Sequence, residues 1–435
     1  MAGQQRKFPG LASARMNPDA SAMHGTAQTP ANPEGAPAPR PPHESYGRLF
    51  LRFLTFGALA WGGPVAQIGM LKAELVVRER WISVARFNRA LAVYQVLPGP
   101  EAHELCVYFG MLARGRWGGV LAGLGFMLPG FVLMLGLSWL YVRFGTGSPW
   151  VQAAFAAVQA AVAALIVRAI HRIGEHALLN PWLWAMGLGA FGAQLLGAHF
   201  VPTLAAAGAV HALVQRGHRG WAAGLGVASV VLLAGSVFFL PGGDTATGPA
   251  AGALLGGVTL ASLFLSGLKA GLLTFGGAYT AIPFVRRDAV QQGAWMTDAQ
   301  FLDGLALGGV LPAPLIIFST FVGFLGGGWA GAVLMTAGIF LPAFSFTLVA
   351  HDALERLVER RGVHAFLEGV TAGVVGLIAA TTVNLLRTTL TGMAAVAVFA
   401  VALTLLYRWK SRYATPAIVF GAAAVGLLLF RGAES

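Results

Sequence analysis

The chain has 435 residues, 56% of them apolar and only 11% charged, with a formal net charge of +12. Soluble domains carry roughly 25% charged residues, so this composition leaves a water-soluble enzyme without enough charge to cover itself, and it also excludes a disordered chain. The single Cys106 excludes a disulfide scaffold and a Cys-based metal site, and the 59 glycines suit close helix contacts in a bilayer.

Residues 1–45 contain eight prolines among Ala, Ser and Gly and no apolar run of the signal-sequence kind, and they read as a disordered, uncleaved cytoplasmic tail. Beyond it, apolar stretches fall near 49–71, 87–112, 117–142, 150–170, 181–197, 199–215, 221–240, 254–285, 301–326, 329–350, 366–386, 390–407 and 413–430, which makes thirteen candidate spans. With simple alternation, 20 of the 29 Lys and Arg face one side and eight the other, while Lys269 lies within a span. The positive-inside rule then puts the N-terminus in the cytoplasm. Five of the eight opposing charges sit in 72–89, an amphipathic stretch suited to the membrane surface. Residues 351–368 mix both signs and read as a solvated cytoplasmic loop. No aromatic and basic stripe of the nucleic-acid kind is present, nor a phosphate-binding loop of an ATP-driven pump.

The chain repeats itself. A shift of 214 places Gly62-Gly63 on Gly276-Gly277, Ile68 on Ile282, Trp81 on Trp295, Phe87 on Phe301 and Val96-Leu97-Pro98 on Val310-Leu311-Pro312, with Pro100 on Pro314. This divides the chain into a first repeat at 46–220, a connecting span and linker at 221–250 and a second repeat at 251–435. With six spans per repeat and one between, the second copy enters the bilayer upside down. That is an all-α, inverted-repeat transporter architecture, with the substrate near the midplane. Gly115-x-x-x-Gly119 and Gly327-x-x-x-Gly331 suit close helix contact, within the chain or between two copies in a homodimer.

Each repeat carries two interruptions, Gly62-Gly63-Pro64 with Pro98-Gly99-Pro100, and Gly276-Gly277 with Pro312-Ala313-Pro314. Pro removes a backbone donor and Gly weakens a helix, so the spans are predicted to break there. Freed backbone groups are tolerated in a bilayer only against protein, water or ligand, and a resumed half-helix offers N–H groups to an anion. Simple kinks packed against neighbours would leave the same signature.

Trp61-Gly62-Gly63-Pro64-Val65-Ala66-Gln67-Ile68, the charged stretch ending at Trp81, Leu97-Pro98-Gly99-Pro100-Glu101 and Thr274-Phe275-Gly276-Gly277-Ala278-Tyr279-Thr280-Ala281-Ile282-Pro283 together resemble the chromate transporter family in its long, two-domain form, from residue 47 to about 430. The resemblance implies a bacterial inner-membrane transporter without cofactor that expels chromate and confers resistance, driven by the membrane potential or a proton gradient. Some relatives are linked to sulfate. The sequence departs from the family pattern at Trp61 (usually Phe), at Gln67 (often His) and at Ala313 (often Gly), which leaves selectivity between chromate and sulfate open.

Candidate substrate-binding residues are therefore Gly62, Gly63, Gln67, Pro98, Gly99, Pro100, Lys269, Gly276, Gly277, Pro312 and Pro314. Lys269 is the intramembrane cation, unless it snorkels from a helix end; Arg52, Arg286 and Arg287 are either anion-attracting or anchoring. Glu101, His103 and Glu104 follow the first Pro-x-Pro. They serve either a helix dipole or proton coupling, since buried carboxylates and histidines can titrate near neutrality. Cys106 reads as a small buried residue, and His171 with His176 lacks the partners a metal site needs. The rival from another class is an intramembrane enzyme using Glu101, His103 and Glu104.

Overall fold

A computed structural model describes residues 41–145, 148–239, 258–358, 360–409, 411 and 413–429. The predicted tail up to residue 40, the part of the predicted span and linker from 240 to 250, and the first residues of the predicted second repeat, 251–257, lie outside the described residues. The first half comprises α1 (Tyr46–Ala58), α2 (Gly63–Leu71), α3 (Val84–Val96), α4 (Glu101–Leu140), α5 (Pro149–Ala177), α6 (Pro181–Leu195) and α7 (Phe200–Gln215), followed by the connecting α8 (Arg219–Phe239). The second half comprises α9 (Leu260–Leu272), α10 (Ile282–Arg286), α11 (Asp298–Val310), α12 (Phe318–Val358), α13 (Arg361–Thr389), α14 (Met393–Arg408) and α15 (Ala414–Leu429). The described residues are helical apart from short connections and one isolated antiparallel bridge, Pro98 to Phe275.

The internal repeat extends to the caps and turns. Ser45 Oγ accepts the Arg48 amide at the start of α1, and its mate Thr259 accepts the Ser262 amide at the start of α9. Ser83 and Thr297 do the same for α3 and α11. Such caps satisfy donors that a helix start otherwise leaves free. Lys72–Arg78 and Arg287–Gln292 are both π-helical, and each is followed by a non-glycine residue at positive φ, Arg80 (53°) and Ala294 (50°).

Several expected spans take a different form. The stretches at 87–112 and 117–142 are not two rods. α3 stops at Val96, and α4 runs on through a corner at Arg114–Gly115, where Gly115 adopts φ 64° and the helix turns back on itself. The same corner recurs at Gly327–Gly328, with φ 59° at Gly328. The arms meet so closely that the Gly110 and Gly118 backbones touch, as do those of Gly323 and Gly331. Within 254–285 the helix stops at Leu272 and resumes beyond Gly276-Gly277, at the break expected there. Residues 351–368, expected as a loop, are mostly helical, because α12 continues to Val358 and α13 begins at Arg361. The surface stretch expected at 72–89 contains a buried turn, with Trp81 and Ile82 inside the core.

By length and composition, four segments among the described residues are long and apolar enough to cross a bilayer, Glu101–Phe144 and Leu315–Val349, each of which includes one of these corners, and Pro149–Ala177 and Arg361–Thr389. By contrast, α1 and α9 have 13 residues each and reach about 20 Å at 1.5 Å per residue, short of a hydrocarbon core of about 30 Å.

The halves are interleaved. α5 lies against α14 and α15 of the second half, while its counterpart α13 lies against α6 and α7 of the first. Small residues permit this: Gly376 meets the Gly187 carbonyl, Gly369 that of Ala207 and Gly426 that of Ala153. The exchange brings the breaks of one half against those of the other.

Candidate functional site

α3 ends because Pro98 follows it. Steric conflict with the proline ring drives the preceding residue out of helical geometry, and Leu97 is extended (φ −80°, ψ 155°), as is Leu311 before Pro312 (φ −85°, ψ 150°). The extended segment after Leu97 is not idle. Gly99 N–H donates to the Thr274 carbonyl at 2.8 Å beside the Pro98–Phe275 bridge, so the first Pro-x-Pro break pairs with the chain entering the second Gly-Gly break.

At the Gly-Gly breaks all four glycines have positive φ: Gly62 94°, Gly63 78°, Gly276 76° and Gly277 116°. The space where a side chain would stand at Gly63 or Gly277 is open. It belongs to two adjoining cavities. The smaller, about 190 Å³, is lined by Gly62 and Gly63, by Leu311 and Ala313 of the second Pro-x-Pro, and by Arg168. The larger, about 370 Å³, is lined by Gly276 and Gly277, Gln95, Glu101, His364 and Glu368. Pro64, Ala169, Arg172 and Tyr279 line both.

The other expected site residues are distributed unevenly around this basin. Gln67 is fully buried, and its Nε2 donates to the Ala60 carbonyl at 3.0 Å, fastening the chain on either side of the first break. Pro98, Gly99, Pro100, Pro312 and Pro314 are buried. Glu101 reaches the larger cavity, whereas His103 and Glu104 are wholly buried behind the first Pro-x-Pro. The His103 ring sits between Phe340 and Phe344, with centroids 4.9 and 4.7 Å away. The Glu104 carboxylate lies against Gly99, where a Cβ would come within 2.8 Å of Oε1.

Lys269 lines neither cavity. Its ammonium is paired with Asp288, which also accepts from Ser266 at 2.7 Å. Arg52 is held by Glu44 and Glu79, and Arg286 by Asp298. Arg287 lies over the Phe200 ring at 5.3 Å. The two arginines that line the cavities, Arg168 and Arg172, are not among the candidate site residues expected from sequence. Their signal was the i, i+4 spacing, which puts both on one face of a helix that continues to Ala177. Cys106 is buried, as expected. His171 pairs with Glu175 and His176 with the Arg172 carbonyl.

Long apolar helices, an internal repeat carried into its caps, and broken segments facing internal cavities from both halves define a multi-pass membrane protein of the transporter class. A chromate transporter family model matches residues 47–213 and again 261–427, so both halves are covered and the chain belongs to that family. It is 56% identical to a chromate transport protein of Pseudomonas aeruginosa over 90% of this chain and 94% of the relative. It is 30% identical to a chromate transport protein of Cupriavidus metallidurans over 88% of this chain and 93% of that one. The identity is again 30% to a probable chromate transport protein of Synechococcus elongatus, covering 89% and 97%. No solved structure matches. The family is one of transport proteins.

Proposed function

We propose that this chain is a secondary transporter that exports chromate from the cytoplasm across the inner membrane and so confers chromate resistance. In this reading the N-terminus is cytoplasmic, the second half is inverted relative to the first, and the anion passes through the basin where the broken segments meet. The observation that carries it is the pairing of Gly99 with Thr274 between halves, directly beside two cavities lined by both Gly-Gly breaks. The names of the Pseudomonas, Cupriavidus and Synechococcus relatives support chromate as the substrate.

The chemistry agrees in sign. Chromate is a tetrahedral dianion at neutral pH. Helix starts at Gly63 and after Pro314 supply N–H groups and partial positive charge without a closed cage that would hinder release. Glu101 at the cavity wall serves as the proton-coupling candidate, and the buried pair His103 and Glu104 supports the first Pro-x-Pro from behind.

The test is chromate flux into inverted membrane vesicles, with an imposed potential and an imposed pH gradient varied separately. Uptake into such vesicles that depends on one gradient is the expected result; accumulation only in right-side-out vesicles would reverse the direction, and no flux in either would end the proposal. Competition by sulfate in the same vesicles measures selectivity, and sulfate carried in preference to chromate would favour a sulfate exchanger.

A further inference from the structure

We infer that the smaller cavity is the oxyanion site and that Arg168 and Arg172 are the cations that hold the ligand, a small tetrahedral dianion. The inference rests on the transport reading above and assigns its ligand-binding side chains.

Three observations converge on these residues. First, the smaller cavity is lined by both arginines, by the hydroxyl-bearing Ser411 and Thr415, and by the indole residues Trp61 and Trp409, and no carboxylate residue lines it. Two arginines thus line a space of about 190 Å³, below the roughly 300–1,000 Å³ of pockets for drug-sized molecules. That charge and that size suit a small doubly charged ion.

Second, three basic groups in or beside the broken segments are already neutralised. Arg52, Lys269 and Arg286 each have a carboxylate within ion-pair distance. Arg172 has none among the described residues, although it is half-buried. Arg168 is steadied without being neutralised: its guanidinium lies 4.6 Å from the Tyr407 ring centroid and 3.5 Å from His171 Nδ1. Like charges one helical turn apart repel, and an anion between them converts that repulsion into two charge-assisted contacts.

Third, Arg172 also lines the larger cavity, where Glu101 and Glu368 stand. An anion leaving the smaller cavity stays in contact with one guanidinium while it meets carboxylates that oppose its retention. Arg172 is thus placed to hand the ligand across the shared wall.

The test uses the full chain in detergent and measures binding of radiolabelled sulfate and chromate at equilibrium. Arg172→Ala is expected to weaken binding on the order of tenfold or more, with Arg172→Lys recovering part of it because it keeps charge but loses the planar fork. Arg219→Ala, an exposed arginine on α8, is expected to bind as wild type. Should Arg172→Ala not fold, Ser411→Cys in a Cys106→Ser background supplies the second readout. Sulfate, which does not oxidise thiols, is expected to slow its alkylation and to leave an exposed Met393→Cys control unaffected. Wild-type affinity in Arg172→Ala, or unprotected alkylation at Ser411→Cys, overturns this assignment while vesicle flux by wild type keeps the transport reading intact. Wild-type protein that moves no chromate removes the transport reading itself.

Discussion

Gly99 donates its amide to the carbonyl of Thr274 at 2.8 Å, and this contact has no counterpart on the other side of the molecule. The repeat mates of these residues are Ala313 and Ala60. The Ala313 amide turns instead to the Leu311 carbonyl at 2.9 Å, and the Ala60 carbonyl accepts from the Gln67 side chain at 3.0 Å. One pair of breaks is closed between halves; the other pair stands apart with the smaller cavity beside it.

Gln67 therefore substitutes for a backbone partner, and the chemistry of its donor is testable. Gln67→Leu removes the donor to a buried carbonyl, at about 1–3 kcal/mol, but it also removes an oxygen, Oε1, that is buried without a partner. The net loss is expected near 1 kcal/mol. Gln67→Glu keeps the shape and puts an acceptor against the Ala60 carbonyl, so its melting temperature in detergent should fall further. Leu proving the worse variant would show that the amide donor is not what holds this break.

Gly63 and Gly277 separate conformation from space. Neither has any neighbour near the position of a Cβ, yet both have positive φ. Alanine at either is expected to cost about 1–2 kcal/mol from backbone strain alone, and asparagine less. Gly136, which also has open space but lies inside α4 without positive φ, gives the opposite sign: alanine there should stabilise by about 0.5–1 kcal/mol. Thermal unfolding of the three variants checks the ranking, and equal effects would remove the conformational argument.

These glycines were legible because they recur. One Gly-Gly pair in an apolar run is weak evidence, but two at an offset of 214, each followed by a Pro-x-Pro, locate the interruptions from sequence. What could not be read was which helix would lie on which. The exchange of α5 and α13 between halves depends on Gly376 meeting Gly187 and Gly426 meeting Ala153, contacts that leave no local pattern. For the same reason Arg172 does not stand out in the sequence, whereas Lys269 reads as the site cation. Hydropathy reports depth along a span, and only tertiary contact shows that Asp288 lies beside Lys269.

That ion pair makes a prediction of its own. Lys269→Met leaves Asp288 in its buried position without its cation, which is expected to cost about 1–2 kcal/mol, less than the 3–5 kcal/mol of a fully enclosed pair because the ammonium is partly solvated. Adding Asp288→Asn should restore much of the lost melting temperature, and chromate flux with it. A double variant that folds as wild type but still fails to transport would mean that Lys269 acts on the anion directly.

The closest approaches between α1 and α4 are copied in the second half, and the copies should fail alike. A Cβ at Gly57 would stand 2.2 Å from the Phe126 carbonyl oxygen, and one at Gly271 would stand 2.4 Å from that of Ile339. In both cases the obstacle is backbone inside a long helix, which has no rotamer to move, so the two helices must separate. Overpacking of this kind costs about 1–3 kcal/mol or more. Gly57→Ala and Gly271→Ala are each expected to lower the yield of monodisperse protein and its melting temperature by similar amounts, while Gly69→Ala, with open space beside it in α2, should not. If Gly57→Ala were tolerated and Gly271→Ala were not, the α1–α4 contact would have slack that α9–α12 lacks, and the two halves would differ mechanically despite their shared geometry.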